Sequence, residues 1–485
     1  MPADRCDPAA EPAAAEPAAA EPAAAEARAA DLGSARRVHV VGIGGAGMSA
    51  IATVLAGMGH RVSGSDLKPS PVTERLHALG IVVHVGHAAD HVGDADLVTR
   101  SPAVPDTNVE LVEARRRGVP VVRRAVVLGA IAERRRCVAV AGTHGKTTTA
   151  SMLSLVLVEA GLQPSFLIGA DVNETGTNAV WDVGEWLVLE ADESYGSFAA
   201  LAPEISLLTN VEPDHLDHYG TFDALAAAFG RFLSAAPGGR VVCADDPVAA
   251  ALGTSLEAVS VGLARGSTYS IRDLATTRSS VSFDLSGPGG VLVGHLDVPV
   301  PGIHNARNAA IATVGALLVG APFESAAAAL ARFAGVPRRF EFRGEADGVT
   351  FVDDYAHLPS EVRAALAAAR AGGWRRVVAV FQPHRYTRTA SLAHTFADAF
   401  DDADLVFVTD VYSAGEPPVP GVSGRLVADA ASARRPGARV VYVSSRAELR
   451  AAVAAMLRPG DVCLTLGAGD LTTLPDELAA LRRDR

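Results

Sequence analysis

The run CVAVAGTHGKTTTASMLSLVLVEAG, starting at Cys137, constrains this chain more than any other segment. Five apolar residues, a glycine-bracketed turn and a long apolar stretch read as a buried strand, a tight loop and a helix. A strand apolar on both faces must lie inside a sheet covered by helices, which makes the chain α/β. The loop also carries chemistry. Gly142 and Gly145 let backbone amides close around phosphate oxygens, Lys146 can reach β- and γ-phosphates, and Thr147 offers a hydroxyl to Mg2+. The full phosphate-loop pattern has four residues between its glycines. Here only Thr143 and His144 intervene, and Val140 stands where the first glycine would be. The chemical parts remain, so ATP binding is expected.

A second loop of the same kind comes earlier. GIGGAGM, Gly42 to Met48, follows the apolar run Val38–Val41. Gly42, Gly44 and Gly47 fit G-x-G-x-x-G, and Asp66 lies about twenty residues on, where a dinucleotide fold places its ribose acid. A diphosphate site at a helix N-terminus is expected. The motif does not select the nucleotide.

Other polar clusters also sit at strand ends. WLVLEADES puts Glu190 and Asp192 on one strand face, followed by Glu193; beside a phosphate loop such acids can bind Mg2+. NVEPDHLDHYG holds Asp214, His215, Asp217 and His218, with His215 the best second metal candidate and a polar loop with a helix cap the competing reading. Asn305 and Asn308 in HNARNA share a helix face. Arg338 and Arg339 in GVPRRFE could clamp a phosphate. DDYAHLPSE (Asp353 to Glu361) and FQPHRYTRT (His384, Arg385 and Arg388) are loops where arginine could grip a carboxylate. TLGAGD, Thr465 to Asp470, is one more glycine turn. Singly, each of these could be ordinary capping or loop chemistry.

At 485 residues the chain is long enough for about three domains. Strand and helix patterns suggest a first α/β domain over 35–133, a second over 134–333 and a third over 334–485. Residues 1–34 hold three EPAAA repeats; proline every five residues blocks helix and nothing large can be buried, so a disordered tail is expected. A net charge of −12 and 5% aromatics argue against nucleic acid as partner. The widely spaced Cys6, Cys137, Cys243 and Cys463 form neither a disulfide framework nor a zinc knuckle. No apolar run spans a bilayer and no signal segment is evident, so a cytoplasmic protein without membrane contact is expected.

In order, GIGGAGMS, GTHGKTTT, EADES, NVEPDHLDHYG, HNARNA, RRFE, DDYAH, FQPHRYTRT, DVYSAGE and GAGD resemble the Mur ligase family over about 37–470. That resemblance implies three domains: a Rossmann-like UDP-binding domain, a central phosphate-loop domain with a parallel sheet, and a Rossmann-like C-terminal domain. It implies an ATP- and Mg2+-dependent amide ligase of cytoplasmic peptidoglycan precursor synthesis. Of the family's activities it points to joining L-alanine to the lactyl carboxylate of UDP-N-acetylmuramate through an acyl phosphate. By the same resemblance Gly42, Gly44, Gly45, Gly47, Asp66, His87, Ser101 and Arg124 would hold the UDP-sugar. Gly142, Thr143, His144, Gly145, Lys146, Thr147, Thr148, Asn305, Asn308, Arg339 and Asp353 would hold ATP. Thr147, Glu190 and His215 would hold the metal. Tyr355, His357, Arg385 and Arg388 would lie by the amino acid and acyl phosphate, so that Lys146, Glu190, His215, His357, Arg385 and Arg388 form the catalytic set. A monomer or homodimer is expected.

Three positions depart from the family pattern: Tyr195 replaces an acid, Leu358 a histidine, and Arg100 the first of a serine pair ending at Ser101. They leave ATP chemistry intact and touch only fine substrate contacts. The alternatives are a ligase recycling murein tripeptide onto the same sugar nucleotide, an NAD-dependent dehydrogenase argued from the first glycine loop alone, and a non-catalytic ATP-binding regulator.

Overall fold

The computed structural model describes Glu26, residues 29–434 and residues 439–483. Most of the expected tail therefore lies outside the described residues. Its last part does not behave as a tail: Ala30 and Leu32 are buried. The Arg36 guanidinium donates to the Asp31 carbonyl. Ordered packing thus starts before the first strand.

The chain forms two compact units, divided between Arg134 and Arg135. The first holds five strands: β1 (Arg37–Val41), β2 (Arg61–Asp66), β3 (Val82–Val85), β4 (Leu97–Arg100) and β5 (Val121–Arg123). They lie in the order β3-β2-β1-β4-β5, all parallel. Val41 at the end of β1 is level with Ser65 on β2 and Arg100 on β4. The first glycine loop leaves β1 at this carboxyl edge and enters helix α1 (Ala46–Gly57). Two further helices matter to the site, α2 (Val109–Arg116) and α3 (Arg124–Ala132).

The second unit holds two sheets. One contains β6 (Arg136–Ala141), β7 (Ser165–Val172), β8 (Thr177–Val180), β9 (Trp186–Glu190), β10 (Ile205–Leu208), β11 (Gly239–Cys243), β12 (Val259–Gly262), β13 (Tyr269–Thr276), β14 (Val281–Ser286) and β15 (Leu292–Val298). Their order is β15-β14-β13-β12-β11-β10-β6-β9-β7-β8. The middle is parallel, with β6 between β10 and β9. Both ends are antiparallel additions, β8 on one side and β14–β15 on the other. Helix α4 (Lys146–Glu159) follows β6 directly, and α5 (Ile303–Val319) packs beside it. Apart from its first residues α4 is apolar almost all round, which suits a helix enclosed by protein. Ala150, Met152, Leu153, Val156 and Leu157 are buried with Val138, Val140 and Val188 of the sheet. Truncating one such leucine to alanine costs about 2–5 kcal/mol.

The other sheet contains β16 (Glu341–Ala346), β17 (Val349–Asp354), β18 (Arg376–Phe381), β19 (Leu405–Val408), β20 (Arg439–Tyr442) and β21 (Asp461–Leu466) in the order β16-β17-β21-β18-β19-β20. All neighbours are parallel except the β16–β17 pair. Strand alternation feeds two cores. Val377, Ala379 and Phe381 pack with Val352 and Leu464, whereas Val378 and Val380 pack with Phe351 and Cys463 on the other face. Helices α6 (Pro359–Ala371) and α7 (Tyr386–Leu392) start from loops that follow β17 and β18. No helix among the described residues is long and apolar enough to cross a membrane.

Candidate active site

The phosphate loop is shaped by two glycines that admit no side chain. Gly142 sits at φ 136°, and a Cβ there would lie 2.1 Å from Thr209 Oγ1. Gly145 sits at φ 79°, and its Cβ would lie 2.6 Å from Asn308 Oδ1. Only glycine combines this backbone with this closeness. Thr143 and His144 are tied to the loop after β10: Glu212 N donates to Thr143 Oγ1 at 2.8 Å, and His144 N to Asn210 Oδ1 at 2.8 Å.

Lys146 begins α4 with its ammonium fully engaged. Nζ donates to the Gly142 carbonyl at 2.6 Å and to Glu193 Oε2 at 2.8 Å. Burial opposes the charge, but Glu193, Asp192 and Glu190 outweigh it and raise the lysine. Thr147 Oγ1 donates to Glu190 Oε1 at 3.0 Å, and Gly169 N to Glu190 Oε2 at 2.6 Å. A hydroxyl and a carboxylate oxygen thus adjoin at the helix start. Mg2+ keeps several waters and takes one or two protein oxygens together with substrate phosphates, so this pair fits it. His215 is expected to join them. It stands in left-handed backbone (φ 52°) with Nε2 3.5 Å from Asp214 Oδ2. Among the described residues no three His, Cys, Asp or Glu are gathered to hold an ion.

A cavity of about 410 Å3 opens beside the loop. Of the residues expected at ATP it is lined by His144, Gly145, Thr147, Thr148, Asn305, Asn308 and Arg339. Asn305 and Asn308 do share a helix face, with Asn308 Nδ2 donating to Asn305 Oδ1 at 3.4 Å. Gly142, Thr143, Lys146 and Asp353 are not among the lining residues; Asp353 faces inward. Its carboxylate is buried and taken up by Arg338 Nε (3.2 Å), Thr465 Oγ1 (2.7 Å) and Thr472 Oγ1 (2.6 Å). The neighbouring Asp354 lines the cavity instead, and burial pushes its carboxyl up to about 6.

His144 links the two sheets' loops. Its Nε2 lies 3.3 Å from Glu212 Oε2, and its Nδ1 lies 3.1 Å from Glu361 Oε1 on α6, out of hydrogen-bond alignment. Ser360 also donates to Glu212. Burial works against the imidazolium, yet Glu361 and Glu212 prevail and raise it to about 9. His304 in the same cavity goes the other way: burial, Arg307 and Arg339 press it down to about 4. One imidazole is therefore charged and the other neutral at physiological pH.

The expected amino-acid region gathers at the ends of β17 and β18. His357 Nδ1 reaches the Tyr355 carbonyl at 3.1 Å, and burial lowers its ring to about 4. The His357 and His384 rings are 5.8 Å apart. Arg388 donates to Asp214 Oδ1 at 3.0 Å, and Arg385 Nε to Glu416 Oε1 at 2.7 Å. Arg339 lies over the Tyr355 ring, 5.1 Å from its centre.

In the first unit, Gly44 N donates to Asp66 Oδ2 at 2.8 Å, as a glycine loop with its acid should. Ser101 Cβ would be 3.0 Å from a Cβ on Gly42, and the Arg124 guanidinium 2.6 Å from one on Gly47. Gly45 is the N-cap of α1. His87 Nδ1 lies 3.0 Å from Ser65 Oγ. All the residues expected at the UDP-sugar therefore sit at or near one carboxyl edge, where open parallel sheets bind ligands.

Three family models cover almost all of this frame: "Mur ligase family, catalytic domain" over 37–136, "Mur ligase middle domain" over 140–316 and "Mur ligase, glutamate ligase domain" over 338–469. The chain is 47% identical to a UDP-N-acetylmuramate--L-alanine ligase of Pelotomaculum thermopropionicum, over 91% of this chain and 97% of that protein. This chain belongs to the Mur ligase family. It is also 48% identical to a ligase of the same name from Kineococcus radiotolerans, over 93% and 97% of the two chains. The crystal structure of a UDP-N-acetylmuramate-alanine ligase from Thermotoga maritima matches with a TM-score of 0.78 at 30% identity, covering 93% of this chain and 99% of that one. A murein peptide ligase from Psychrobacter arcticus shares the fold, with a TM-score of 0.67 at 22% identity over 93% and 99% of the chains.

The Mur ligase cavity also holds residues that motif reading passed over. Asp245 accepts from Arg307 Nε at 2.6 Å, and both line the cavity with Glu212, His304 and Glu361. Asp245 stands in ADDP just after β11, a strand-end acid like those read elsewhere, so that signal was present. Glu361 was inside a quoted motif, but nothing in the sequence says that it meets His144.

Proposed function

We propose that this Mur ligase is ATP-dependent and joins L-alanine to the lactyl carboxylate of UDP-N-acetylmuramate in the cytoplasm. The observation that carries this reading is the phosphate loop: His144, Gly145 and Thr147 line one cavity, Lys146 lies within the same loop, and Thr147 donates to Glu190. The full-length likeness to ligases of that name supports the choice of substrates. In the reaction a lactyl carboxylate oxygen attacks the γ-phosphorus of ATP and ADP leaves. The alanine amine then attacks the acyl carbon, the tetrahedral intermediate expels phosphate, and the amine proton passes to solvent or a nearby base.

The chain's part in this is positioning and charge neutralisation. Lys146 exchanges Glu193 for phosphate oxygens. Thr147 and Glu190 would hold Mg2+, with His215 a candidate for a second ion, and the ion would offset charge on the phosphates. Asn305, Asn308 and Arg339 bound the nucleotide. His357, Arg385 and Arg388 face the acyl phosphate and amino acid. Gly42, Gly44, Gly45, Gly47, Asp66, His87, Ser101 and Arg124 hold the UDP-sugar. The working division is a UDP-sugar part over 35–133, an ATP part over 134–333 and a closing part over 334–485.

Phosphate release from ATP and Mg2+ tests this, with UDP-N-acetylmuramate and either L-alanine, glycine, L-serine, D-glutamate or murein tripeptide. Release requiring both the sugar nucleotide and L-alanine, with the amide product seen by mass, is expected. Release with the tripeptide alone would move the chain to recycling.

A further inference from the structure

Glu110 plays no part in the chemistry above, yet it is one of the most heavily partnered carboxylates in the molecule. It lies near the start of α2, and its side chain is completely buried. Among the described residues, no arginine or lysine pairs with it. Its oxygens accept from Ser65 Oγ at 2.6 Å and from Ala88 N at 3.3 Å. They also meet His91 Nδ1 at 3.0 Å, His87 Nδ1 at 3.3 Å and His39 Nε2 at 3.5 Å. One carboxylate thus ties together β1, β2 and the segment after β3. A buried charge costs several kcal/mol unless it is well hydrogen-bonded, so bonds to Ser65, Ala88, His87 and His91 fix those neighbours firmly, while His39 Nε2 stays just outside hydrogen-bond range.

Those neighbours hold the first glycine loop. The Ser65 carbonyl accepts from Gly42 N at 2.8 Å and Ile43 N at 3.0 Å, while its hydroxyl is bonded to Glu110. Gly86 N, just before His87, donates to the Asp66 carbonyl at 2.7 Å, and the Asp66 carboxylate accepts from Gly44. The single Ser65 hydroxyl proton goes to Glu110, so Ser65 Oγ can only accept from His87 Nδ1, 3.0 Å away. A carboxylate likewise accepts. The proton of a neutral His87 must then sit on Nδ1, and Nε2 is left with a lone pair.

We propose that Glu110 is a positioning residue for the sugar-nucleotide subsite: with Ser65 it fixes His87 as the Nδ1–H tautomer, presenting Nε2 as an acceptor to an N–H or O–H donor of the nucleotide. This rests on the reading that His87 faces the UDP-sugar. The uracil imide and the ribose hydroxyls are such donors. His39, His84, His87, His91 and Asp90 are the other titratable groups around the carboxylate, with His84 stacked on His91 at 4.2 Å.

Two measurements test it. Long-range nitrogen–proton NMR on the wild type, with His87 assigned by the loss of its signal in His87→Gln, reads the tautomer directly and needs no variant of Glu110. Nδ1–H is expected; Nε2–H would overturn the proposal. Calorimetric titration with UDP alone and steady-state kinetics then compare wild type, Glu110→Gln, His87→Ala and the double variant. Glu110→Gln should raise the UDP Kd and the KM for UDP-N-acetylmuramate about tenfold, with kcat and the KM values for ATP and L-alanine unchanged. The double variant should bind UDP no more weakly than His87→Ala alone, because Glu110 acts through that ring. Equal losses in kcat and every KM, or additive losses in the double variant, would make Glu110 merely structural. No UDP binding by the wild type would overturn the functional reading together with the proposal, whereas UDP binding with the Nε2–H tautomer would overturn the proposal alone.

Discussion

The two glycine loops of this chain begin alike and finish differently. Each leaves a buried parallel strand at its carboxyl end and enters a helix, α1 or α4. The first carries no cation of its own: Asp66 accepts a loop amide, and Arg124 reaches Gly47 from the start of α3. The second carries Lys146 within the motif, with Glu193 on its ammonium and Glu190 on Thr147. Amides and a helix N-terminus suffice to hold a diphosphate that stays intact. Moving a phosphoryl group needs a fixed cation and oxygen ligands for a metal where charge develops. On the proposed function, the difference between the loops is the difference between binding and chemistry.

Removing the cation of the second loop breaks the comparison most sharply. Lys146→Ala should lower kcat by at least about a thousandfold in the phosphate-release assay, while UDP still binds the first unit with unchanged affinity. Near-normal turnover would end the assignment of this loop. Glu190→Gln comes next. It should cost about 10- to 100-fold in rate and shift the Mg2+ titration to higher concentration. An unmoved Mg2+ midpoint would remove Glu190 from the metal ligands.

What could be read from the sequence follows the same divide. Strand, glycine loop and helix lie in one continuous segment, so Gly142, Lys146 and Thr147, or Gly42, Gly44 and Asp66, declare themselves through spacing. The central strands β6, β9, β10 and β18 were visible as apolar runs because both their faces are buried. The outer strands β7–β8 and β13–β15 were not, since half-exposed strands such as Tyr269–Thr276 mix apolar and polar residues without a clean run. The site residues that escaped depend on contacts between distant segments. Glu361 meets His144 and Glu110 meets His39 and His87 only once sheets have formed. Asp353 shows the reverse: a strand-end acid in a rich motif whose carboxylate turns inward to Arg338, Thr465 and Thr472, which spacing could not reveal.

The glycines sharpen the comparison at smaller scale. Gly142→Ala puts a Cβ 2.1 Å from Thr209 Oγ1 at a φ of 136°, and should destabilise the fold by about 1–3 kcal/mol. Gly44→Ala crowds the Asp66 carboxylate at 2.9 Å and touches Thr73 Cγ2 at an ordinary 3.5 Å, in ordinary backbone. It should keep its melting temperature within about 2 °C and raise the KM for UDP-N-acetylmuramate several-fold. Equal melting temperatures in the two variants would mean that the phosphate loop yields more readily than its contacts suggest.

The smallest effect concerns the charge that only the second loop carries beside its lysine. His144 rises from 6.5 to about 9 in the fold because Glu361 and Glu212 outweigh the cost of burial. A raised histidine stabilises fully below its unfolded value of 6.5, and that contribution disappears as pH climbs through about 9. Glu361 works in the opposite sense. Burial resists its charge, but His357 and His144 hold it well below 4.5, so its contribution is present above 4.5 and fades under more acid conditions. The pair should therefore support the fold most between pH 4.5 and 6.5 and progressively less toward 9. Glu361→Gln removes the main attraction and should flatten this alkaline decline, lowering the melting temperature by a few degrees near pH 6 and by less near pH 9. Melting curves across that range are the check. Parallel curves for wild type and variant would show that His144 holds its proton no more tightly in the fold than outside it, leaving Lys146 as the charge that distinguishes the two loops.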